Sequence, residues 1–322
     1  MEPHLDKAHW LAMVKASIVI LNWNTADDTM ECIDSIIASG CRNYEIILVD
    51  SNSRADDFGK MEAYSSQKRM IRLFRLEKNE GFSGGANIGA GKARGEYLVF
   101  LNSDTIVAKG FLESLLRPFS GKDVGATCPK IYFYDKGKTD RIYHDGGNNL
   151  TYFGLVRNSS MGLKDDGSYD KEKDERMFSG TCFATPLTLF NGLGGFGPFF
   201  AFWEEADLSW RLHSKKKRIV YVPGSVVYHK CSLSVKANNM GSLENVLSVR
   251  NKYLTYYRNL RTADFVAVLP LLLLYDVMRA AKLAPRTHMK SIKNLAVGFK
   301  GFIKMSRRAA RPGGGRLSFM VW

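Results

Sequence analysis

Short apolar runs alternate with amphipathic segments over the first 128 residues. The runs are rich in Val, Ile, Leu and Phe and stop at polar or small residues, which is typical of buried strands. The segments between them have helical spacing, as in Ile33, Ile36 and Ile37 after a cap at Asp27 or Asp28. Strands that alternate with helices predict an α/β fold with a mostly parallel sheet. We expect the strands at about 17–21, 44–50, 71–76, 96–101 and 124–128.

The pattern changes after residue 129. Residues 130–176 are rich in Gly, Asn, Asp and Lys, so we expect a mobile stretch at 135–176 that closes over an acceptor. Regular structure returns at about 177–185. The remaining predicted elements are a helix at 204–213, strands at 218–222 and 226–229, and helices at about 242–260, 262–282 and 288–310.

The charge of the chain is concentrated at its C-terminal end. The net charge is +14, and residues 277–322 contain eleven lysines and arginines but no acidic residue. Such a one-sign segment favours an anionic partner, and it matches no nucleic-acid motif, so we expect a membrane surface rather than nucleic acid. The longest apolar run, 265–275, is shorter than the roughly 20 residues that span a bilayer, which predicts a buried or interfacial helix.

Five scattered cysteines without a C-x-x-C pair argue against a disulfide framework or a zinc site. The first fifteen residues have no long apolar core, so we expect no secretory signal and a reducing, cytosolic environment.

Polar residues follow three of the predicted strands. In an open α/β sheet, ligands gather where strands end. Asp104 can hold a divalent cation, which in turn can hold a diphosphate, and His229 could complete that metal site. Asp50 can accept hydrogen bonds from a uracil or thymine base or from a ribose hydroxyl. The alternatives are ordinary turn carboxylates and a structural histidine.

Two further segments are candidates for chemistry. Glycines at 79–89 allow the backbone to approach a ligand before a helix, although the G-x-G-x-x-G order of dinucleotide sites is missing. Glu204, Glu205 and Asp207 crowd the start of another helix. Crowded carboxylates can raise one another's pKa and provide a general base, or they can simply complement the helix dipole, with Asp207 paired to Arg211.

Together these segments resemble glycosyltransferase family 2, specifically its rhamnosyltransferase-like branch, from about Ala16 to Arg258. The resemblance depends on Val-Ile-Leu-Asn-Trp-Asn24, Val-Asp-Ser-Asn-Ser53, the segment 79–89, Phe-Leu-Asn-Ser-Asp104, Gly-Gly-Phe196 and the acidic segment 203–211. It implies a GT-A fold, in which a Rossmann-like nucleotide-sugar half and an acceptor half share one mostly parallel mixed sheet, followed by C-terminal helices. We divide the chain into an extension (1–15), a nucleotide-sugar half (16–128), an acceptor and catalytic half (129–240) and a basic, membrane-associated helical region (241–322).

The resemblance also implies roles for individual residues. Glu205 occupies the position of the catalytic base, with Glu204 and Asp207 as alternatives, and Asp104 and His229 are the metal ligands. Two departures are Asn102 and Glu205, where relatives usually have Asp; the longer Glu205 moves the base outward by about 1.5 Å. The expected nucleotide-sugar contacts are Asn22, Asn24, Asp50, Asn52, Gly81, Phe82, Gly84, Asn87, Asn102, Ser103 and Arg211.

The implied activity is an inverting transfer, dependent on Mg2+ or Mn2+, from a nucleotide-diphosphate sugar, with rhamnose as the suggested sugar. The acceptor would be a hydroxyl of a glycan or of a polyprenyl-diphosphate-linked sugar in cell-envelope polysaccharide synthesis. We expect the chain at the cytoplasmic face of the cell membrane, bound peripherally. The alternatives are a nucleotidyltransferase that makes nucleotide sugars and a non-catalytic protein that binds sugar nucleotides or membranes.

Overall fold

A computed structural model describes residues 14–134, 137–145, 149–151, 156–157, 160–231, 241–285 and 289–309. Most of the predicted N-terminal extension therefore lies outside the described residues. The strands are β1 (Ala16–Asn22), β2 (Tyr44–Asp50), β3 (Ile71–Arg75), β4 (Tyr97–Leu101), β5 (Thr105–Val107), β6 (Val124–Tyr134), β7 (Lys138–His144), β8 (Asn149–Leu150), β9 (Val156–Arg157), β10 (Lys173–Glu175), β11 (Cys182–Pro186) and β12 (Arg218–His229). The helices are α1 (Ala26–Ala38), α2 (Ala55–Ser66), α3 (Gly81–Lys92), α4 (Phe111–Leu116), α5 (Leu187–Gly192), α6 (Glu204–Ser214), α7 (Gly241–Asn259), α8 (Thr262–Leu283) and α9 (Lys290–Ser306).

One ten-stranded sheet organises the described chain, in the order β10-β12-β6-β11-β4-β1-β2-β3, with β5 paired to β12 and β7 to β6. Strands β1 to β4 pair in parallel, and β11 enters antiparallel to β4. The predicted mixed α/β sheet with C-terminal helices is confirmed. Because β1, β2 and β4 are parallel neighbours, their carboxyl ends lie at the same edge of the sheet.

The central strands are buried on both faces. In β1 and β2, Ile18 and Ile46 pack with Ile33 of α1, whereas Val19 and Ile47 belong to a cluster on the opposite face, which also contains Ala86 and Ala90 of α3. This arrangement follows from the two-residue period of a strand, since successive side chains point to opposite faces. Helices on both faces explain why these strands contain continuous apolar runs rather than alternating ones.

The glycines of α3 serve packing between helix and sheet. A Cβ atom at Gly89 would lie 2.6 Å from a methyl group of Val19, so only glycine allows this close approach. Gly81 has φ +71°, and a Cβ there would lie 2.1 Å from the carbonyl oxygen of Phe200. The helix already begins at Gly81. The prediction that the glycines at 79–89 precede the helix is therefore wrong, and the small residues instead bring α3 against β1 and the segment before α6.

Two predictions for the second half also need correction. The predicted strands at 218–222 and 226–229 form one strand, β12, with a register shift against β6 between Val222 and Val226. The described residues 160–176 are tied to the sheet rather than free: the buried Lys130 amine binds Asp165 and Asp170, and β10 pairs with β12. For these residues the prediction of a mobile segment that closes over the acceptor is wrong.

The C-terminal helices continue the protein core. Tyr256 of α7 meets Trp210 of α6 at a ring distance of 5.5 Å, and Tyr253 is fully buried against Phe302 of α9. The predicted boundary at residue 240 thus divides α7 from α6, the candidate catalytic helix, although these two helices pack directly against each other. Among the described residues, none of the helices combines the length and apolarity needed to cross a membrane. Part of the basic tail, from residue 310, lies outside the described residues.

Candidate active site

Asp50 ends β2, where an amide from β1 holds it. Asn22 donates from Nδ2 to Asp50 Oδ1 at 2.9 Å, the backbone N–H of Ser53 donates to Asp50 Oδ2 at 3.0 Å, and the Arg75 guanidinium lies 3.8 Å away. Asn22 and Asp50 are both fully buried. Asn22 therefore orients Asp50, and its predicted contact with a nucleotide sugar stays a prediction. Arg75 was not foreseen, because its sequence context contains no motif.

Two asparagines shape the adjoining loops. Asn24 and Asn52 follow β1 and β2 and have φ angles of 57° and 61°, a region that asparagine tolerates better than most residues. Asn24 Oδ1 accepts a hydrogen bond from the backbone N–H of Arg54 at 2.9 Å, which joins the two loops. Both asparagines stand at the strand-end edge, and their contact with a nucleotide sugar stays a prediction.

Asp104 and His229 meet although 125 positions separate them. Pairing of β5 with β12 places His229 beside Thr105, and His229 Nε2 lies 3.1 Å from Asp104 Oδ1. Burial by itself lowers the pKa of His229, but the hydrogen bond with Asp104 raises it to about 9. Both residues are less than one tenth exposed. Without a cation, the two groups form a buried ion pair.

A carboxylate and an imidazole are suitable ligands for Mn2+, and the carboxylate also suits Mg2+. The described residues contain no group of three or more His, Cys, Asp or Glu side chains that could hold a metal by themselves. A cation at Asp104 and His229 would therefore need further oxygen ligands from a diphosphate or water. Asn102 and Ser103 are half-buried beside this pair and stay candidates for donor contacts.

A strained turn presents the two glutamates at the start of α6. Phe202 and Trp203 have φ angles of 69° and 76°, which cost such bulky residues about 1–3 kcal/mol each. The fully buried Asn251 of α7 stabilises this turn, because its Nδ2 donates to the carbonyls of Ala201 at 2.7 Å and Phe202 at 2.8 Å. Strain held by a neighbouring helix is a frequent feature of functional sites. No local pattern at Asn251 predicted this role.

Glu204 and Glu205 differ in their surroundings. Burial raises the pKa of both carboxyl groups, and the nearby charge of Glu205 raises that of Glu204 further. Glu204 is 7% exposed, and no hydrogen-bond partner reaches its Oε2 in the described structure, whereas Glu205 is half-buried. Glu204 is the more buried of the two and its pKa is raised well above the ordinary value, so the more accessible Glu205 is the better candidate for the base.

Glu205 lies on the same side of the sheet edge as Asp104 and His229. A Cβ at Gly180 would be 3.9 Å from the Glu205 carboxyl carbon, and the neighbouring Thr181 has its hydroxyl 3.4 Å from His229 Nδ1. The segment 180–181 thus touches the predicted base and the predicted metal ligands. Asp50 ends β2, which is two strands from β4, so the ends of β2 and β4 are about 10 Å apart along the same edge.

Tyr143 is a further member of this cluster. Its ring packs edge-on against His229 at 4.8 Å. Burial raises the pKa of Tyr143 to about 12, and the charges of Asp104 and Glu205 add to the effect. Tyr143 and Thr181 were missed by sequence reasoning, because neither lies in a recognisable motif.

Asp207 has a structural role instead of the predicted catalytic one. It is fully buried, and its carboxylate accepts hydrogen bonds from Arg211 Nε at 2.8 Å, Arg258 Nε at 3.1 Å and Asn259 Nδ2 at 2.8 Å. Both carboxylate oxygens of Asp207 are occupied by these donors, so neither is free to accept a proton from an acceptor hydroxyl. Arg211 is likewise committed to Asp207 and to the carbonyl of Leu193, which replaces its predicted donor contact.

Asn87 anchors the loop before the strained turn. Its Oδ1 accepts from the backbone N–H of Phe196 at 2.8 Å, and its Nδ2 donates to the Phe196 carbonyl at 3.1 Å. Phe82 packs edge-on against Phe196, and Gly84 lies against Glu80 within α3. These residues join α3 to the loop, and any donor contact by Phe82 or Gly84 stays a prediction.

Comparison with solved structures defines the class of fold. The chain is similar to a crystal structure of GalNAc-T7 with UDP, GalNAc and Mn2+ (TM-score 0.58, 24% identity, covering 67% of this chain and 43% of that chain). It is also similar to the mannosyltransferase PcManGT from Pyrobaculum calidifontis in complex with GDP-Man and Mn2+ (TM-score 0.57, 14% identity, covering 90% and 87%). These likenesses establish a GT-A fold.

The sequence profile of Glycosyl transferase family 2 matches residues 17–191, more than half of the chain. The chain belongs to that family. It is 30% identical over 135 residues to glycosyltransferase GlyG of Streptococcus pneumoniae serotype 4, covering 42% of this chain and 44% of GlyG. It is 27% identical over 226 residues to polypeptide N-acetylgalactosaminyltransferase 11 of Xenopus tropicalis, covering 66% and 38%. The chain thus spans less than half the length of these relatives.

Proposed function

We propose that this chain transfers a sugar from a nucleotide-diphosphate donor to an acceptor hydroxyl, with inversion at the anomeric carbon. The observation that carries the proposal is the convergence of Asp104, His229 and Glu205 at the strand-end edge that also holds Asp50. Family membership and the GT-A fold support a sugar-nucleotide substrate. Within the family, rhamnose stays the suggested sugar, and the names of the similar proteins add N-acetylgalactosamine and mannose as donors to test.

The proposed reaction is a single displacement. Glu205 takes the proton of the acceptor hydroxyl, whose oxygen forms the new bond to the anomeric carbon. The bond from that carbon to the diphosphate oxygen breaks on the opposite face, and the nucleoside diphosphate leaves with the bonding electrons. Glu205 is favoured over Glu204 because it is more accessible, whereas Glu204 is only 7% exposed and burial raises its pKa well above the ordinary value. Asp50 would bind the base or ribose of the donor.

Asp104 and His229 would hold a divalent cation, Mg2+ or Mn2+, together with the donor diphosphate. The chemistry that such a cation supplies is neutralisation of the charge that develops on the leaving group. The Mn2+ in the structures of GalNAc-T7 and PcManGT supports this part of the proposal. A glycan or polyprenyl-diphosphate-linked acceptor, reached from the cytoplasmic face of the cell membrane, completes it.

The first experiment is a thermal-shift screen of thymidine-, uridine- and guanosine-diphosphate sugars with Mn2+, Mg2+ or a chelator. A stabilising donor is then assayed for release of the nucleoside diphosphate in the presence of acceptors. Release of pyrophosphate from a nucleoside triphosphate would instead support a nucleotidyltransferase. Donor binding without any turnover would support a non-catalytic binding protein.

The second experiment replaces the base. Glu205→Gln should retain donor binding, because the side chain keeps its size, and should lose most transfer, by a factor of about 100 or more. Glu204→Gln is the matched control and should retain transfer, since Glu204 is only 7% exposed and burial already favours its neutral form. Unchanged turnover in Glu205→Gln would exclude this residue as the base.

A further inference from the structure

Helix α8 is apolar on the side that faces away from the protein. Its inner side buries Phe265, Val268 and Leu272 in the core. On the other side, Val266 is 60% exposed, Leu274 58%, Val277 55% and Met278 62%. With Pro270 and Leu271, these residues form the α8 outer face. It contains no charged side chain and extends over roughly three turns, about 18 Å.

The orientation of this face is fixed by a buried ion pair. Asp276 on the inner side of α8 accepts hydrogen bonds from Lys252 and from the Tyr253 hydroxyl at 2.7 Å, both on α7. Rotation of α8 to bury Leu274 would break this pair and leave an unpaired charge in the core, which is strongly unfavourable. The exposure of the outer face is therefore built into the packing of the helix.

The helix beside α8 carries exposed positive charge. Helix α9 lies alongside α8, because Phe265 contacts Phe302 and the Ser291 hydroxyl donates to the carbonyl of Ala280 at 2.9 Å. Between residues 262 and 309 the sequence has only two acids; Asp264 is paired with Arg261, and Asp276 is the buried one. The exposed charges of α9 and of the two residues after it are all positive: Lys290, Lys293, Lys300, Lys304, Arg307 and Arg308.

We infer that the α8 outer face lies in the surface of an anionic lipid bilayer, with α8 parallel to the membrane plane. An apolar face flanked by exposed cations and no unpaired exposed carboxylate is complementary to acyl chains below anionic headgroups. A second copy of this chain is a poorer occupant, because joining two outer faces would bring two basic α9 helices together. The inference names the membrane-binding surface and does not depend on the donor or on transfer chemistry.

The test is flotation of the full chain with vesicles of phosphatidylcholine, alone or mixed with phosphatidylglycerol. We expect binding to the mixed vesicles that weakens with added salt, and little binding to the neutral ones. The double variant Leu274→Glu with Met278→Glu should bind the mixed vesicles at least about tenfold more weakly. Its matched control is Met161→Glu with Leu163→Glu, two residues that are each 52% exposed elsewhere and should leave binding unchanged.

A second pair of variants tests the charges without touching the apolar face. Lys293→Glu with Lys300→Glu should also weaken binding by about tenfold or more. Lys215→Glu with Lys216→Glu, two exposed lysines directly after α6, should not. The inference would be overturned if Leu274→Glu with Met278→Glu bound the mixed vesicles as well as its control does. It would also be overturned if the unaltered chain did not bind them. A dimer in sedimentation that Leu274→Glu with Met278→Glu abolishes would overturn it as well, because the outer face would then belong to a second copy.

Discussion

Replacing Asp207 with Asn should unfold the protein more readily rather than remove a catalytic group. The change preserves size but removes the negative charge that two buried guanidinium groups, Arg211 and Arg258, share. The exposed fractions of these side chains are 5% and 9%, and that of Asp207 is zero. Neither arginine can turn to solvent without moving α6 or α7, so the positive charges would stay buried without a carboxylate.

Breaking a buried ion pair by removal of one partner costs about 3–5 kcal/mol. A loss of 1 kcal/mol lowers the melting temperature of a domain of this order of size by about 2–4 °C. Asp207→Asn should therefore lower the melting temperature by at least about 6 °C. Transfer per folded molecule, measured well below that temperature, should fall much less than in Glu205→Gln.

Glu205→Gln is the matched comparison, because it makes the same chemical change two positions earlier on the same helix. Burial already raises the pKa of Glu205, so a neutral amide should be tolerated, with a melting temperature within about 2 °C of the original. The two variants are compared by calorimetry and by release of nucleoside diphosphate. An unchanged melting temperature with lost transfer in Asp207→Asn would refute the reasoning and make Asp207 the catalytic group.

Three further predictions follow from the same contacts. Gly81→Ala should destabilise the fold by about 1–3 kcal/mol in denaturant unfolding, whereas Gly91→Ala, where a Cβ would meet nothing within 4 Å, should be neutral or stabilising. Asn251→Leu should lower kcat about tenfold or more with little change in donor KM, because it releases the turn at Phe202; equal loss of donor affinity would contradict a positioning role. The pKa of Glu205 is raised above the ordinary 4.5, so transfer should decline as the pH falls through that pKa, because the base becomes protonated. A pH-rate profile with saturating metal that stays flat down to pH 4.5 would contradict this prediction.

Local patterns in the sequence were sufficient for the element order. Strands β1, β2 and β4 could be predicted because burial on both faces requires continuous apolar runs, and α1 because its apolar residues recur at helical spacing. Polar residues placed directly after those strands predicted where Asp50 and Asp104 lie. That prediction needed only the rule that parallel strands end at the same edge of the sheet.

Glycines and charged segments were harder to interpret, because their meaning depends on what packs against them. Gly89 in isolation suggests a flexible or ligand-binding loop, and only the 2.6 Å approach of Val19 explains it as a packing position. The charged stretch around Asp165 suggests mobility until the buried Lys130 is seen beneath it. Neither partner is near in sequence, so no local pattern contains the answer.

By itself, the sequence determined the class of fold, the strand-end carboxylates and the acidic start of α6, because periodicity and strand ends are local properties. Only the tertiary structure decided which acids are free to act. Asp207 is neutralised by Arg258, 51 positions later, Asn22 is used to hold Asp50, and Asp104 gains His229 across 125 positions. The role of a charged group depends on its burial and on its partners, and both are set by contacts between residues that the chain brings together only when it folds.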